Sequence, residues 1–308
     1  MDLSFHPLLV QAMRQHVGRA IKVMESRDEP EKIHVLRTGI KRMRASWRLL
    51  RPALPDSVFR RENHALKSAS LGLGPLREIH VLGKTLRKLR EGKTGKRGSR
   101  KKPAPIDEAW ERLEATMQSE KIHVPDGGKS ILGKTSAVLK ASLLRFGRLD
   151  PETTAYRRLK PLLGRSYRNA RKAGERALEQ ALKASDSGFH DWRKRVKDHF
   201  YQLEALKPLL TARADGMLEG LDRLQDALGD EHDLTVLDAY FRGHAGLIPD
   251  PETVRKAGET IAKELKNARK KSRRLGTPLF KEKPARYLGR MVSGGLPKKK
   301  KAGLRQAA

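Results

Sequence analysis

The sequence predicts an all-α protein in which two pseudo-symmetric helical units form one bundle with a central basic groove or channel. Apolar residues recur at the spacing of amphipathic helices along most of the chain, and no segment alternates as a convincing β-strand would. One long stretch of sequence occurs twice. The chain also carries 67 Lys and Arg against 36 Asp and Glu, a formal net charge of +31. These observations predict the fold class, the internal symmetry and the charge of the groove.

Residues that favour helix starts and ends divide the apolar pattern into separate helices. Pro30 with Glu31 favours a start, and Pro52 follows an end. Asp250 is suited to cap the last helix. We predict helices over residues 7–26, 30–51, 56–71, 75–91, 107–120, 131–148, 155–184, 187–207, 209–228, 231–243 and 251–275.

The predicted folded domain extends over residues 5–275. It contains a flexible basic loop at 92–106 and is followed by a basic C-terminal tail at 276–308. Both segments have too few apolar residues to offset the entropy lost on ordering. They act either as solvated segments or as basic arms that capture a polyanion.

The internal repeat relates two predicted helices and the segments that follow them. IHVLRTGIKRMRASWRLLRP (33–52) aligns without gaps on FHDWRKRVKDHFYQLEALKP (189–208), and GPLREIHVL (74–82) aligns on GDEHDLTVL (229–237). We therefore predict two repeat units, one over about 5–148 and one over about 155–275. Their apolar faces are expected to pack about a pseudo-twofold axis.

A basic stripe follows the first copy of the repeat. At about 100° per residue, five side chains share an arc of about 80°, beside the apolar arc of the same helix. This stripe consists of His34, Arg37, Lys41, Arg44 and Arg48. Few acids are in register to form i, i+4 ion pairs with it.

The second copy repeats the pattern. Its polar stripe, over about 100° of the helix, consists of His190, Arg193, Lys194, Lys197 and Tyr201. If the units pack pseudo-symmetrically, the two stripes meet along the groove. Like charges so close together are unfavourable until an anion binds between them.

The two histidines allow three interpretations. His34 and His190 are helix-capping residues, phosphate contacts, or metal ligands. Their neighbours are Arg and Lys, which do not bind metals, so we predict no metal site and no cofactor.

No catalytic residues are predicted. GKSILGKT (128–135) matches the phosphate-binding loop pattern, but neither a preceding buried strand nor a later strand ending in Asp is present. Glu78 and Asp233, which the repeat aligns, are interpreted as carboxylates near helix starts with a structural role. The chain has no cysteine. Neither a signal peptide nor a membrane span is evident, so a cytoplasmic protein without membrane insertion is expected.

The two histidine motifs resemble those of a known family. His34-x-x-Arg37 with Lys41, the corresponding motif from His190, and LQDALGDEHDLTVL (224–237) are similar to the CHAD family, an α-helical domain family named for its histidines. The resemblance covers about residues 5–275. It implies two pseudo-symmetric four-helix units with a basic face that binds inorganic polyphosphate, often at polyphosphate granules.

Carried over by position, the resemblance implies binding roles for His34, Arg37, Lys41, Arg44, His190, Arg193, Lys194 and Lys197. A further similar stretch, GRSYRNARKAGERAL (164–178), implies supporting contacts from Arg165, Arg168, Arg171 and Lys172. The second copy departs from the first, because Asp198 and Phe200 stand where the first has Arg42 and Arg44.

The sequence therefore predicts a non-catalytic protein whose partner is inorganic polyphosphate. The alternative is a nucleic-acid-binding protein that uses the same basic surface. The low aromatic content, 5%, disfavours stacking on single strands. The sequence makes no prediction of the oligomeric state.

Overall fold

A computed structural model describes residues 4–25, 28–91, 105–119, 127–182 and 187–292, and within these ranges the protein is all-α. The predicted fold class is confirmed. The helices are α1 (His6–Lys22), α2 (Glu29–Leu50), α3 (Asp56–Gly72), α4 (Gly74–Glu91), α5 (Pro105–Ser119), α6 (Gly127–Gly147), α7 (Leu159–Leu182), α8 (Ser187–Ala205), α9 (Arg213–His244), α10 (Pro251–Leu279) and α11 (Pro284–Met291).

Local sequence signals start two of the long helices, α2 and α10. At α2, the Asp28 side chain accepts a hydrogen bond from the Glu31 backbone N–H at 3.1 Å, and proline occupies the first turn. At α10, the Asp250 side chain accepts from the backbone N–H groups of Glu252 and Thr253. These caps satisfy N–H groups that have no partner within the helix.

The larger hydrophobic core lies between α1, α2, α6, α7 and α8, and α2 packs directly on α8. The apolar arcs predicted for α2 and α8 are buried in it: Ile40, Met43, Trp47, Leu50, Trp192, Val196, His199 and Leu203. Burial of these side chains fixes which face of each helix is left for the basic stripe.

A buried polar network ties α3 and α6 to α2. The Trp47 indole donates to the Ser142 hydroxyl at 3.0 Å, and that hydroxyl donates to Glu62 at 3.0 Å. Arg145 pairs with the same carboxylate at 2.6 Å. Glu62 is fully buried, so these partners supply the contacts that water would otherwise make.

A second core cluster joins helices from both predicted units. Trp110 of α5 and Phe241 of α9 pack at a ring-centroid distance of 6.0 Å, beside Leu86 of α4 and Ile261 of α10. The packing therefore crosses the boundary predicted between 5–148 and 155–275. The pseudo-symmetry of the complete units stays a prediction.

Two sequence predictions about helices were wrong. The segments 209–228 and 231–243 are one helix, α9, in which Gly229 is an interior residue. The chain beyond Gly276 is not a tail at first, because α10 continues to Leu279 and α11 follows. Tyr287 and other α11 residues pack into the larger hydrophobic core, which explains why this segment forms a helix instead of a tail. Residues 293–308 of the predicted tail, and 92–104 of the predicted loop, lie outside the described residues.

Candidate functional site

A basic cavity of about 880 Å³ opens where α2 packs against α8. Its described lining contains eleven Lys and Arg residues and three Asp residues. The basic residues are Arg37, Lys41, Arg44, Arg48, Arg51, Lys67, Arg165, Arg193, Lys194, Arg195 and Lys197. Apart from His34, the residues of the two predicted stripes meet along this one groove.

Neighbouring helices hold the arginines of α2 in place. Arg37 donates to the backbone carbonyl of Ser70 at 3.1 Å, and Arg44 donates to the Asn63 amide oxygen at 3.2 and 3.3 Å. Both partners belong to α3 and are uncharged. These contacts orient the two guanidinium groups.

Two ion pairs cross from α2 to α8. Arg48 donates to both carboxylate oxygens of Asp198, at 2.6 and 2.9 Å, and Arg42 pairs with Glu204. In the repeat alignment Arg42 corresponds to Asp198, and Arg48 corresponds to Glu204. The first repeat position on α2 (Arg42) therefore pairs with the second position on α8 (Glu204), and the second on α2 (Arg48) pairs with the first on α8 (Asp198). This reciprocal pattern is expected at a twofold contact.

The cations of the cavity are crowded and partly buried, and both conditions disfavour their charged forms. Burial, with the neighbouring Arg48, lowers the pKa of Arg44 to about 10. Burial, then Arg51 and Arg168, lowers the pKa of Arg165. Burial also lowers the pKa of Lys194. With a pKa of about 10, Arg44 stays charged at neutral pH. An anion placed among these cations would offset their mutual repulsion.

His190 and His232 lie side by side in the cavity lining, with ring centroids 4.8 Å apart. Burial, then Lys194 and Arg193, lowers the pKa of His190 below its ordinary value of 6.5. His190 is therefore neutral at pH 7 in the free protein. A bound polyanion would favour its protonation.

Ten of the predicted site residues line this cavity. Four predicted site residues do not belong to the described lining: His34, Arg168, Arg171 and Lys172. Arg171 instead pairs with Glu175 at 2.8 Å and donates to the Glu282 carbonyl. His34 is exposed on α2.

Several lining residues were missed by the sequence analysis. Arg51 and Lys67 line the cavity from the end of α2 and from α3, and Arg195 lines it from α8. The interpretation of Asp233 as a residue near a helix start was wrong, because it lies within α9 and lines the cavity. In the sequence, this part of α9 is marked by the repeat alignment of 229–237 with 74–82. The side chain of Glu78 lies outside the described residues.

Other candidate sites are not supported. Residues 128–135 lie within α6, and Thr135 is buried, so in the structure they do not form a phosphate-binding loop. Among the described residues, no cluster of His, Asp or Glu is arranged to hold a metal ion. None of the helices described is long and apolar enough to cross a membrane.

Comparison with protein families now identifies the class of this helical protein with a basic cavity. The family model of the CHAD domain matches residues 9–242. The chain belongs to the CHAD domain family. No curated protein sequence matches it significantly.

Two solved structures share the fold. The crystal structure of the CHAD domain from the plant Ricinus communis has a TM-score of 0.57 at 17% identity, with 89% of this chain and 92% of that chain covered. PptA from Streptomyces chartreusis has a TM-score of 0.55 at 17% identity, with 89% of this chain and 100% of that chain covered. At this identity the similarity supports the fold alone.

Proposed function

We propose that this protein binds inorganic polyphosphate in the cavity between α2 and α8. The observation that carries the proposal is that eleven Lys and Arg, against three Asp, belong to the described lining of a recess of about 880 Å³. Such a recess suits a flexible chain that presents phosphate groups along its whole length. Membership of the CHAD family, which is known for polyphosphate binding, supports the same ligand.

Binding would come from many weak contacts acting together. Each Lys or Arg that meets a phosphate releases counterions, so affinity falls steeply with salt and rises with chain length. Arg37 and Arg44, held by uncharged partners on α3, are already oriented for phosphate oxygens. Such preorganisation reduces the entropy lost on binding.

Nucleic acid is the weaker candidate for this cavity. Proteins that bind single strands stack bases on aromatic side chains. Apart from the two histidines, the aromatic side chains in the described lining are Phe59 and Tyr201. The guanidinium of Arg51 lies 4.8 Å from the Phe59 ring centroid. The guanidinium of Arg42 lies 4.6 Å from the Tyr201 ring centroid. One face of each ring is therefore covered by a cation rather than open to a base.

The proposed role is binding without catalysis. The acids in the described lining are Asp191, Asp198 and Asp233. Asp198 pairs with Arg48, and Asp191 pairs with Arg176 at 3.2 Å. Carboxylates neutralised in this way are not arranged as a general acid and base. We place the protein at polyphosphate granules, where its ligand is concentrated.

A competition titration tests the proposal. Long-chain polyphosphate, duplex DNA, RNA and ATP would compete for the full-length protein at ~150 mM salt, where weak surface attraction is largely screened. We expect polyphosphate to bind at least ~100-fold more tightly than each competitor, which is about 2.7 kcal/mol. Equal or tighter binding of nucleic acid would replace this proposal with the nucleic-acid alternative.

A further inference from the structure

A second basic stripe lies on the outer face of α10. Its members are exposed: Lys263, Lys266, Lys270 and Arg274. At about 100° per residue they share an arc of about 80°. The buried face of the same helix, which includes Ile261, Leu265 and Ser272, points in nearly the opposite direction. The stripe therefore faces solvent, away from the packing with α9 and α5.

The two halves of α10 differ in how their charges are compensated. In the N-terminal half, Arg255 pairs with Glu252 at 2.7 Å and with Glu259 at 2.5 Å, and Lys256 pairs with Glu252 at 3.3 Å. Along the described chain, no acidic side chain forms an ion pair with the four cations of the second stripe. Lysines and arginines three and four residues apart on one helix repel each other.

The helix dipole does not account for these cations. It favours positive side chains within the last turn of a helix. Lys263 and Lys266 lie well before the last turn, because α10 ends at Leu279. A surface that concentrates positive charge without compensation lowers the stability of the free protein and favours binding of an anion.

A region in which acids and cations balance each other separates this stripe from the cavity. A recess of about 500 Å³ shares Arg193 and Lys197 with the cavity and reaches Lys271 of α10. Its described lining has four aspartates of α9 and four cations: Asp222, Asp226, Asp230, Asp233, Lys88, Arg193, Lys197 and Lys271. Lys271 pairs with Asp230 at 3.8 Å. A phosphate chain that left the cavity by this route would pass cations already matched by aspartates before it reached the second stripe.

We propose that the α10 stripe is a second polyphosphate-binding surface, separate from the cavity, so that one protein molecule bridges two polyphosphate chains. This inference rests on the proposed function of the cavity. It adds a cross-linking role, in which the protein condenses its ligand instead of only coating it. The stripe lies beyond residues 9–242, the part matched by the family model.

The composition of α10 favours a bare phosphate chain over other polyanions. The helix contains no aromatic residue on which a base could stack. The exposed large hydrophobic residues of the described chain are Leu71, Leu144 and Leu247, and all lie outside α10. The stripe therefore lacks the apolar side chains that insert into a membrane surface. Its recognition chemistry is positive charge alone.

A two-chain capture assay tests the bridging role. Long-chain polyphosphate is immobilised, the full-length protein is added at ~150 mM salt and washed, and capture of a second, fluorescent polyphosphate chain is measured. The test variant carries Lys263→Gln, Lys266→Gln, Lys270→Gln and Arg274→Gln. Its matched control carries Arg255→Gln and Lys256→Gln, in the ion-paired half of the same helix. Circular dichroism checks that each variant is folded.

We expect the test variant to capture at least ~10-fold less of the second chain, because four phosphate contacts and their counterion release are lost. Its affinity in solution for a short polyphosphate, and capture by the control variant, should stay at the wild-type level. Wild-type capture by the test variant would overturn the inference, as would displacement of the second chain by duplex DNA more readily than by polyphosphate. If the wild type binds the first chain but no second, bridging alone is wrong. If it does not bind the first chain, the proposed function is wrong.

Discussion

The helices α2 and α8 derive from one repeated sequence, yet they contribute differently to the cavity between them. At the positions where α2 has Arg42 and Arg48, α8 has Asp198 and Glu204. These acids pair with the arginines of α2 instead of enlarging the positive field. Lys41 and Lys197, at equivalent positions, both still line the cavity. Each helix thus contributes four Lys and Arg to the described lining, and α8 also carries the acids that pair the two copies with each other.

Removing the equivalent cations from both α2 and α8 should have the largest effect on binding in the cavity. Alanine at Arg37, Lys41, Arg193 and Lys197 together should weaken polyphosphate binding by at least ~100-fold, because each lost charged contact costs about 1 kcal/mol or more. The two half-variants, one for each helix, should each lose part of this affinity. Titration at fixed salt measures all three.

The control for this experiment replaces the four lysines of 298–301 with glutamine. We expect it to keep polyphosphate selectivity over duplex DNA. Full affinity in the fourfold alanine variant, together with weak binding by the lysine control, would move the site from the cavity to the C-terminal segment.

The cross-helix ion pairs predict opposite effects on stability and affinity. Asp198→Asn should lower the free energy of unfolding by about 2 kcal/mol, less than for a fully buried pair, because the Arg48 side chain is 25% exposed. The same change should strengthen polyphosphate binding, since it removes a negative charge from the lining. Urea unfolding and titration measure the two effects. Weaker polyphosphate binding in a folded Asp198→Asn protein would contradict this account of α8.

The two repeat histidines should respond differently to pH. His190 lines the cavity and has a lowered pKa, whereas His34 is exposed outside the lining. As pH falls from ~7 to ~5.5, protonation of His190 should strengthen polyphosphate binding by up to about tenfold, the equivalent of one pKa unit. His190→Asn should reduce this pH dependence, and His34→Asn should leave it intact. An equal loss of pH dependence in both variants would show that the two histidines act alike.

A buried difference between the copies should affect stability alone. His199 of α8 corresponds to Met43 of α2, and hydrogen-bonds to Ser166 at 3.1 Å and Tyr287 at 2.9 Å. Burial lowers the pKa of His199 from 6.5 to about 3. The unfolded chain therefore binds an extra proton below pH 6.5, so this residue reduces stability as pH falls.

Between pH ~6.5 and ~5.5 this effect should lower the free energy of unfolding by about 1 kcal/mol. His199→Met, which installs the α2 residue, should remove that part of the pH dependence although it also loses the two hydrogen bonds. Thermal unfolding across this pH range measures the difference. An unchanged slope in the variant would assign the acid sensitivity to other groups.

The local pattern predicted the stripes and the apolar faces, but not how the helices meet. The spacing of Arg37, Lys41 and Arg44 is sufficient to place them on one side of α2. It cannot distinguish His34 from His190, because their difference depends on which helices pack nearby. The order of α11 depends on a long-range contact, in which Tyr287 stacks on Tyr167 at a centroid distance of 3.9 Å. Local composition contains no record of such a contact.

The most direct test of the account is the structure of the protein with a short-chain polyphosphate at one equivalent. We expect phosphate groups inside the cavity, in contact with Arg37 and Lys41 of α2 and with Arg193 and Lys197 of α8. Phosphates bound only outside this cavity would contradict the claim that the two copies of the repeat form one binding site.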